Sequence, residues 1–326
     1  MKYFNIDGVR EPVSRVISGT AQYEDWMREE PLFEVLDAAL ECGITAIDSG
    51  REYADGAAER AIGNWLQSRG CRDKMVLISK GGHHDDIRKR ATPYDVTADI
   101  MDSLLLYQTD HIDIYMLHRD DETQPVGPIM EMLNEHYSAG RISTFGASNW
   151  SLSRFQEANA YAAARGLRPF TVVSPHFSLG EMMGDPFGGG CISLTGDAMA
   201  KSREWFAAQK IPVLAYSSLC MGVFSGRITK GNYEESFAQG MLPEPAHRVY
   251  CHDANFERLS RAQELANQKN VPVAAIALAY VVNAYECAGL NAFALAAGAN
   301  KAEVYENAAA ADIALTKEEF YWLLNG

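Results

Sequence analysis

Cysteines are few in this sequence and follow no pattern. The six are scattered over 326 residues, and no two are spaced as in a Cys-x-x-Cys motif. Small secreted domains are usually stapled by dense cysteine frameworks, so the sequence does not belong to that class. The scatter is typical of a reducing compartment, and we predict a cytoplasmic location.

Long apolar runs are also missing. The longest, residues 273–282, is too short to cross a bilayer and predicts a buried helix instead. The first residues carry no apolar core of a signal peptide, so we expect neither secretion nor a membrane partner. No internal repeat, linker or low-complexity segment stands out, and we predict a single domain over residues 1–326.

Positive charge is in deficit. The chain has 29 Lys and Arg residues against 43 Asp and Glu residues, which gives a net charge of −14. Such a balance disfavours nucleic acid and anionic membranes as partners. An anionic ligand therefore requires a local positive site, and we expect a small molecule as the partner. The sequence makes no prediction about oligomeric state.

Strand-length apolar segments alternate with segments of helical periodicity along the chain. This alternation and the chain length suit an α/β fold, a (β/α)8 TIM barrel with insertions. The predicted strands are residues 15–18, 44–47, 76–79, 112–117, 144–147, 171–173, 211–215 and 291–296. The predicted helices are residues 31–41, 57–67, 92–107, 128–139, 151–165, 197–208, 255–268, 272–285, 301–310 and a tail helix at 317–324.

Three additions to the barrel are predicted. Residues 1–14 read as an N-terminal hairpin that turns at Asp7-Gly8. Long loops follow strands six and seven, at residues 180–195 and 226–253. Long loops inside compact domains are commonly lids or binding loops, and we interpret both in this way.

Polar residues stand where several predicted strands end. Asp48 ends strand two and Tyr53 follows it, Lys80 ends strand three, and His118 ends strand four. These four residues (the tetrad, below) resemble the catalytic tetrad of the aldo-keto reductases. Residues 47–66 resemble the first signature of that family, and residues 143–150 resemble its second. The resemblance covers most of the chain.

The resemblance implies a reaction and roles for the tetrad. Interconversion of a carbonyl and an alcohol needs a hydride, which no side chain supplies, so a nicotinamide cofactor is implied. Tyr53 would be the general acid and base, with its pKa lowered by the Lys80 ammonium. Asp48 would hold Lys80 by a charge-assisted hydrogen bond, and His118 would orient the carbonyl.

The family pattern also implies a cofactor site. Ser148 and Asn149 would bind the nicotinamide carboxamide, and Tyr216 would stack on the ring. The predicted cofactor-binding residues are Gly19, Thr20, Asp48, Ser148, Asn149, Ser174, Tyr216, Ser217, Leu219, Gly222, Gly298, Asn300, Lys301, Glu306 and Asn307. No Gly-x-Gly-x-x-Gly fingerprint is present, so the sequence is not that of a Rossmann enzyme.

Three departures from the family pattern bear on the cofactor. Ser174 stands where many members have Gln, and Ala297 replaces a common Pro. Residues 298–307 resemble the adenosine-binding segment of the family (the adenosine segment, below). This segment is one residue short, and Glu303 stands near a position that is often basic. We predict NADP(H) over NAD(H), because Lys301 is the only cation in this segment and would face the 2′-phosphate. Glu303 would favour NAD(H) if it faced the ribose.

The predicted substrate pocket is polar and aromatic. Its residues are Tyr23, Trp26, His83, Arg119, Trp150, Phe187 and Phe224, with His84 and His176 at the mouth. This mixture favours a hydroxylated substrate such as a sugar or polyol derivative. Adjacent histidines rarely bind one metal ion together and their spacing matches no zinc pattern, so we predict no metal site.

The sequence thus predicts an NAD(P)(H)-dependent oxidoreductase with Tyr53 as its acid and base. Two other functions fit the same barrel. One is an aldolase that forms a Schiff base on Lys80. The other is a cofactor-binding regulatory subunit with little turnover, although the intact tetrad argues against it.

Overall fold

The computed structural model describes residues 1–23 and 29–326. Its strands are β1 (Tyr3–Phe4), β2 (Val13–Ser14), β3 (Val16–Gly19), β4 (Ala46–Asp48), β5 (Val76–Gly81), β6 (Ile112–Leu117), β7 (Ile142–Ser148), β8 (Val172–Ser174), β9 (Val213–Ala215) and β10 (Ala292–Ala296). Strands β3 to β10 form a closed barrel of parallel strands, in chain order, with β10 beside β3. The predicted (β/α)8 barrel is confirmed.

Helices surround this barrel. They are α1 (Glu29–Glu41), α2 (Ala57–Arg69), α3 (Pro93–Tyr107), α4 (Val126–Ser138), α5 (Leu152–Arg165), α6 (Ala200–Ala208), α7 (Tyr233–Ala238), α8 (Glu244–Tyr250), α9 (Asp253–Lys269), α10 (Val273–Val282), α11 (Ala284–Ala288), α12 (Lys301–Ala309) and α13 (Lys317–Asn325). No helix in the described ranges is long and apolar enough to cross a membrane.

Local sequence explains where the helices begin and end. Thr92 caps α3 by accepting a hydrogen bond from the Asp95 N–H, and Pro93 occupies the first turn. Ser151 caps α5 in the same way, and Gly166 ends it in the left-handed conformation. The strands are buried on both faces, and β6 is buried at every position. Their continuous apolar character is therefore required by the fold.

The amino-terminal hairpin consists of β1 and β2, which pair antiparallel. Arg15 follows it and is fully buried. Its guanidinium carbon lies 3.4 Å from the ring centre of Phe4 and 4.5 Å from that of Phe293. Burial lowers the pKa of Arg15 to about 10. These aromatic faces stabilise the cation at the end of the barrel where the strands begin.

The segment after β9 differs from the prediction. We expected a loop over residues 226–253, but α7 and α8 lie within it. Both are shorter than two turns, so their hydrophobic periodicity is too brief to detect. The helix predicted over residues 272–285 is also divided, since α10 ends at Val282 and α11 begins at Ala284. By contrast, residues 180–195 form an irregular loop as predicted.

Candidate active site

Lys80, near the end of β5, lies at the centre of the site. Its ammonium Nζ is 2.6 Å from Asp48 Oδ2, and it donates to the Ser49 carbonyl at 2.9 Å. It also donates to the Tyr53 hydroxyl at 3.2 Å. Lys80 and Asp48 are both nearly inaccessible to solvent. The arrangement brings together three of the four residues of the predicted tetrad.

A strained turn presents Tyr53. Residues Tyr53–Gly56 form a short 3-10 helix, in which Ala54 and Asp55 both have φ of 51°. This left-handed region is unfavourable for residues with a Cβ, and such strain is common at functional sites. The Tyr53 N–H donates to the Gly50 carbonyl at 3.0 Å, which fixes the turn above the end of β4.

The pKa of Tyr53 departs from our expectation. Burial raises the pKa of this phenol, and Lys80 lowers it by less, so the result lies above the ordinary value of 10. The predicted influence of Lys80 therefore has the right sign, but it does not prevail over desolvation. Tyr53 is accordingly a neutral phenol at neutral pH.

Lys80 is held as a cation. Burial lowers its pKa, but the Asp48 carboxylate and the Tyr53 phenol raise it more, so it lies above the ordinary value. Burial raises the pKa of Asp48, which Lys80 opposes. We treat the two as an ion pair, because their 2.6 Å contact favours the charged forms of both groups.

His118 directly follows β6 and faces the same site. Its ring centre lies 5.6 Å from that of Tyr53, in an edge-to-face arrangement. Desolvation lowers its pKa far below the ordinary range, and the Lys80 and Arg119 cations lower it further. The imidazole is therefore neutral. Its Nδ1 is buried and has no hydrogen-bond partner among the described residues.

Glu52 is a site residue that the sequence analysis missed. Its Oε2 lies 2.7 Å from His83 Nδ1 and 3.9 Å from His118 Nδ1. The sequence feature that could have identified Glu52 is its position directly before Tyr53 in the first signature. Its significance depends on a three-dimensional neighbour, His83, which lies 31 positions away in the sequence.

The side chains that we predicted to bind the nicotinamide carboxamide form hydrogen bonds to other groups of the protein. Asn149 has φ of 59°, and its Oδ1 accepts hydrogen bonds from the Tyr216 hydroxyl at 2.7 Å and the Ile192 N–H at 3.1 Å. Ser148 donates to the Ser174 carbonyl at 2.8 Å. The Ser174 hydroxyl donates into the sheet, to the Leu214 carbonyl. Ser148, Asn149, Ser174 and Tyr216 thus converge at the barrel mouth.

The remaining nicotinamide-side residues lie at neighbouring strand ends. Thr20 donates to the Asp48 carbonyl through both its N–H and its hydroxyl, beside Gly19 at the end of β3. Beyond β9 the backbone is left-handed at Ser217 and at Gly222, where a Cβ would meet no atom within 4 Å. Leu219 precedes the 3-10 helix Cys220–Ser225 in this turn. The open space fits a cofactor passing close to the backbone.

The adenosine segment differs from the prediction at Lys301. Asn300 caps α12 as a helix-start residue. The Lys301 ammonium lies 2.8 Å from Glu41 of α1 instead of standing free for a phosphate. Glu303 accepts from the Ala299 N–H and lies 3.5 Å from the Arg227 guanidinium. Arg227 is a cation that the sequence analysis did not consider, since it belongs to the segment after β9.

The other two predicted residues of this segment lie on α12, and Gly298 lies just before it. Asn307 donates to the Ala297 carbonyl at 3.0 Å and is buried, whereas Glu306 is exposed. A Cβ at Gly298 would lie 2.8 Å from Val304 Cγ2, so this position requires glycine for its packing. The segment therefore presents a helix amino terminus, which suits a phosphate.

The predicted substrate residues divide into three groups. Arg119 is buried beside His118, whose carbonyl it binds, and Trp150 donates to the Arg119 carbonyl. Phe187 is 53% exposed on the loop after β8. Phe224 is fully buried in the core and Tyr23 is 3% exposed, so neither offers a face at the mouth. Trp26 lies outside the described residues.

Three histidines were also predicted at the mouth. His83 and His84 are half-buried, with ring centres 4.5 Å apart. His176 is fully buried and bonded to Ser193 and Ser178. Burial lowers its pKa to about 3. It therefore supports the loop after β8 instead of contacting a ligand at the surface.

One aspartate organises the loop over residues 180–195. Asp185 accepts hydrogen bonds from the N–H groups of Phe187, Gly188, Gly190 and Cys191. This loop and the segments after β5, β6 and β7 line an open cavity of ≈ 570 Å³, to which His84 and Asn149 contribute but no residue of the tetrad does. The lining residues are His84, Asp85, Asp86, Ile87, Arg88, Lys89, Asp120, Glu122, Asn149, Ser151, Gly188, Gly189, Gly190 and Ile192. Four N–H groups bonded to one carboxylate thus fix the turn beside this cavity, and the role of the loop as a lid stays a prediction.

Comparison with known sequences gives related proteins. The chain is 29% identical over 238 residues to the aldo-keto reductase YhdN of Bacillus subtilis, a match that covers 71% of the chain and 66% of YhdN. It is 29% identical to an aryl-alcohol dehydrogenase [NADP(+)] of Phanerodontia chrysosporium, over 47% of the chain and 43% of that protein. The chain therefore spans less than two thirds of the length of these curated relatives.

Comparison with solved structures agrees with the sequence matches. An aldo/keto reductase from Klebsiella pneumoniae, solved in complex with NADP and acetate, has a TM-score of 0.69 and 25% identity. The match covers 96% of this chain and 90% of that one. The profile of the Aldo/keto reductase family matches residues 15–323, nearly the whole chain. On this evidence the chain belongs to the Aldo/keto reductase family.

Proposed function

We propose that the protein interconverts a small-molecule carbonyl and its alcohol with NADP(H) as the hydride carrier. The observation that carries this proposal is the contact chain from Asp48 through Lys80 to Tyr53, with His118 beside it. These groups can supply and recover one proton at a carbonyl oxygen. The nicotinamide supplies the hydride when it is bound.

Tyr53 transfers the proton in this mechanism. Its hydroxyl is neutral and faces the Lys80 ammonium at 3.2 Å. As the carbonyl oxygen gains charge during reduction, Tyr53 donates its proton, and the adjacent cation stabilises the phenolate that remains. Asp48 keeps the ammonium in place through both steps, because it lies 2.6 Å from Lys80 Nζ.

His118 orients the carbonyl as a neutral imidazole. Its lowered pKa excludes the imidazolium at neutral pH, so His118 acts as a hydrogen-bonding group and not as the acid. Its edge-to-face contact with Tyr53 means that the imidazole and the phenol lie side by side. The carbonyl oxygen would then lie between them.

A Schiff-base aldolase is less consistent with the geometry. A nucleophilic lysine must lose its proton, which requires a lowered pKa. The pKa of Lys80 is raised, and its ammonium already donates to Asp48, Ser49 and Tyr53. Borohydride trapping with substrate tests the alternative, since it would leave an adduct on Lys80 only in the aldolase.

The test of the main proposal is a turnover screen of sugars, ketones and aldehydes with both cofactors. We expect Tyr53→Phe to retain cofactor binding and to lose about a hundredfold or more of turnover, because the proton donor is absent. Tyr94→Phe is the matched control, since Tyr94 is 82% exposed on α3. Near-normal turnover of Tyr53→Phe would overturn the mechanism. A protein without turnover on any carbonyl would instead favour a regulatory subunit.

The choice of NADP(H) rests on two cations and on the relatives. The Klebsiella structure contains NADP, and the Phanerodontia enzyme is named for NADP(+). Lys301 and Arg227 both lie at the adenosine end, but each faces a carboxylate, Glu41 and Glu303 respectively. A 2′-phosphate, with roughly two negative charges, competes for these cations.

Titration of both reduced cofactors at several salt concentrations tests this choice. We expect NADPH to bind more tightly than NADH and to lose affinity as salt rises. Lys301→Ala and Arg227→Ala, tested singly, show which cation carries the difference. Equal binding of NADH, unchanged in both variants, would mean that Glu303 selects NAD(H).

We propose a polar, hydroxylated substrate such as a sugar or polyol derivative. The support is the cavity that reaches the site through Asn149 and His84, because most of its lining residues have charged or polar side chains. A competition assay between sugars and apolar steroid-like ketones tests this class. A clear preference for the apolar ketones would refute it.

A further inference from the structure

We propose that Glu52, His83 and His118 form a binding site for a divalent transition-metal ion of the Zn²⁺ class. The three residues offer one carboxylate oxygen and two imidazole nitrogens, which all lie within 4.8 Å of one another. This donor set is the one that zinc prefers outside cysteine sites. The sequence analysis expected no metal, because it weighed the histidines without Glu52.

The two distances from Glu52 require only a small movement of its carboxylate. Glu52 Oε2 is 2.7 Å from His83 Nδ1 and 3.9 Å from His118 Nδ1. Bonds of about 2.0–2.1 Å in a tetrahedral site place the ligand atoms roughly 3.3 Å apart. The observed distances lie on either side of that value. A shift of the Glu52 carboxylate toward His118 therefore equalises them.

His118 gives the strongest indication of a missing ligand. Its side chain is 8% exposed, and its Nδ1 has no hydrogen-bond partner among the described residues. A buried polar atom without a partner is costly, and a metal ion would satisfy it.

His83 binds as its other tautomer. In the structure its Nδ1 lies close to two acceptors, Glu52 Oε2 at 2.7 Å and the His84 carbonyl at 2.8 Å, so this nitrogen carries the proton. Metal binding moves that proton through solvent to Nε2 and leaves the Nδ1 lone pair for the ion.

The surrounding charges permit a dication. Asp48 lies 2.6 Å from Lys80 Nζ and offsets part of its charge, and Glu52 supplies a negative charge directly to the ion. Lys80 and Arg119 are the opposing cations near His118, and both limit the affinity. The Glu52 side chain is 47% exposed, so an ion can enter from solvent, and a fourth position remains for water.

Occupation of this site would block carbonyl reduction. The ion takes a nitrogen of His118 and fills the space beside Tyr53 where the carbonyl oxygen would lie. Inhibition should therefore compete with the carbonyl substrate and not with the cofactor. The inhibitory effect rests on the proposed function, whereas metal binding itself does not.

The test is a titration of the purified protein with Co²⁺, followed by its d–d absorption, and displacement by Zn²⁺. We expect one ion per chain. Glu52→Gln and His83→Ala should each weaken metal binding at least about tenfold. Loss of a group that only supports a ligand already costs about tenfold, and loss of a direct ligand should cost no less. His84→Ala is the matched control and should retain the affinity, because His84 is not one of the three ligands. Circular dichroism confirms that each variant is folded.

Several outcomes overturn the site. One is the absence of binding by either ion. Another is unchanged affinity in both Glu52→Gln and His83→Ala. A third is a thiolate-to-cobalt charge-transfer band, which would place the ion on a cysteine such as Cys191 of the loop after β8. If the ion binds as expected but no carbonyl is turned over, the metal site stands and the proposed reaction fails.

Discussion

Lys80 has two roles in the site, and one substitution can remove both while leaving the packing of the barrel largely intact. It holds Asp48, and it stabilises the Tyr53 phenolate. A methionine of similar length preserves much of the packing but removes the charge. The consequence should therefore appear in the titration of Tyr53 before it appears in stability.

We expect Lys80→Met to lower turnover by about a hundredfold or more and to move the basic limb of the pH–rate profile upward. The sign follows because Lys80 lowers the pKa of Tyr53 against burial, so its removal raises that pKa further. Lys74→Met is the control, since Lys74 is exposed in the 3-10 helix before β5. An unmoved basic limb would count against this role of Lys80.

At the residue scale, the sequence predicted the position of a side chain well where a strand end or a short motif determines it. The convergence of the four tetrad residues could be predicted, because each lies at or soon after the carboxyl end of a strand on the same face of the barrel. The contacts of Lys301 and Phe224 could not be predicted, for a different reason. Their surroundings, Glu41 of α1 and the buried core near Gly180, belong to segments distant in sequence.

Among the elements, α2 carries an acid that the mechanism does not use. Glu59 is fully buried and accepts a hydrogen bond from the Ser79 hydroxyl on β5. Burial raises its pKa from an ordinary 4.5 to about 7, and the hydrogen bond from Ser79, with the neighbouring Ser103 and Tyr107 hydroxyls, lowers it by less. The helix is thus joined to the sheet through a group that titrates near neutrality.

The sign of the resulting pH dependence is fixed. The folded state binds this proton more tightly, so its contribution to stability is complete below about pH 4.5 and is lost as the pH rises toward 7. We expect Glu59→Gln to remove this slope, which amounts to roughly 3 kcal/mol at most. Urea unfolding at pH 5 and pH 8 measures it. The control is Glu34→Gln on the exposed face of α1, and parallel pH curves for both variants would exclude the role of Glu59.

Elements were predicted well where periodicity extends over several turns. Helix α3 and strand β6 were found with nearly their observed ends, since caps and continuous apolar character mark them. Helices α7 and α8 were missed because six or seven residues give too little periodicity. These short helices form because they pack against the rest of the chain, and such packing cannot be predicted from the periodicity of six or seven residues.

For the whole molecule, closure of the barrel depends on a close approach at Gly146. This residue of β7 pairs with Met116 on one side and Val172 on the other. A Cβ added there would lie 1.9 Å from the Val172 carbonyl oxygen. Only glycine lets β7 and β8 approach this closely.

We expect Gly146→Ala to destabilise the protein by about 1–3 kcal/mol or more and to weaken cofactor binding, since Ser148 ends the same strand. The matched control is Gly231→Ala, where a Cβ would meet only Thr229 Oγ1 at 3.8 Å. Unfolding midpoints in urea measure the difference. Equal midpoints for the two variants would show that the barrel relaxes around the added methyl group.

Pairing of the first and last barrel strands also constrains the order in which the protein can assemble. Val16 of β3 lies beside Ala294 of β10, across 278 positions of sequence. Synthesis proceeds from the amino terminus, so β3 emerges from the ribosome long before its partner exists. Until then its free edge and that of β9 can pair wrongly, and such exposed edges are sites of aggregation. Folding of this chain should accordingly be slow, late in synthesis and sensitive to chaperones.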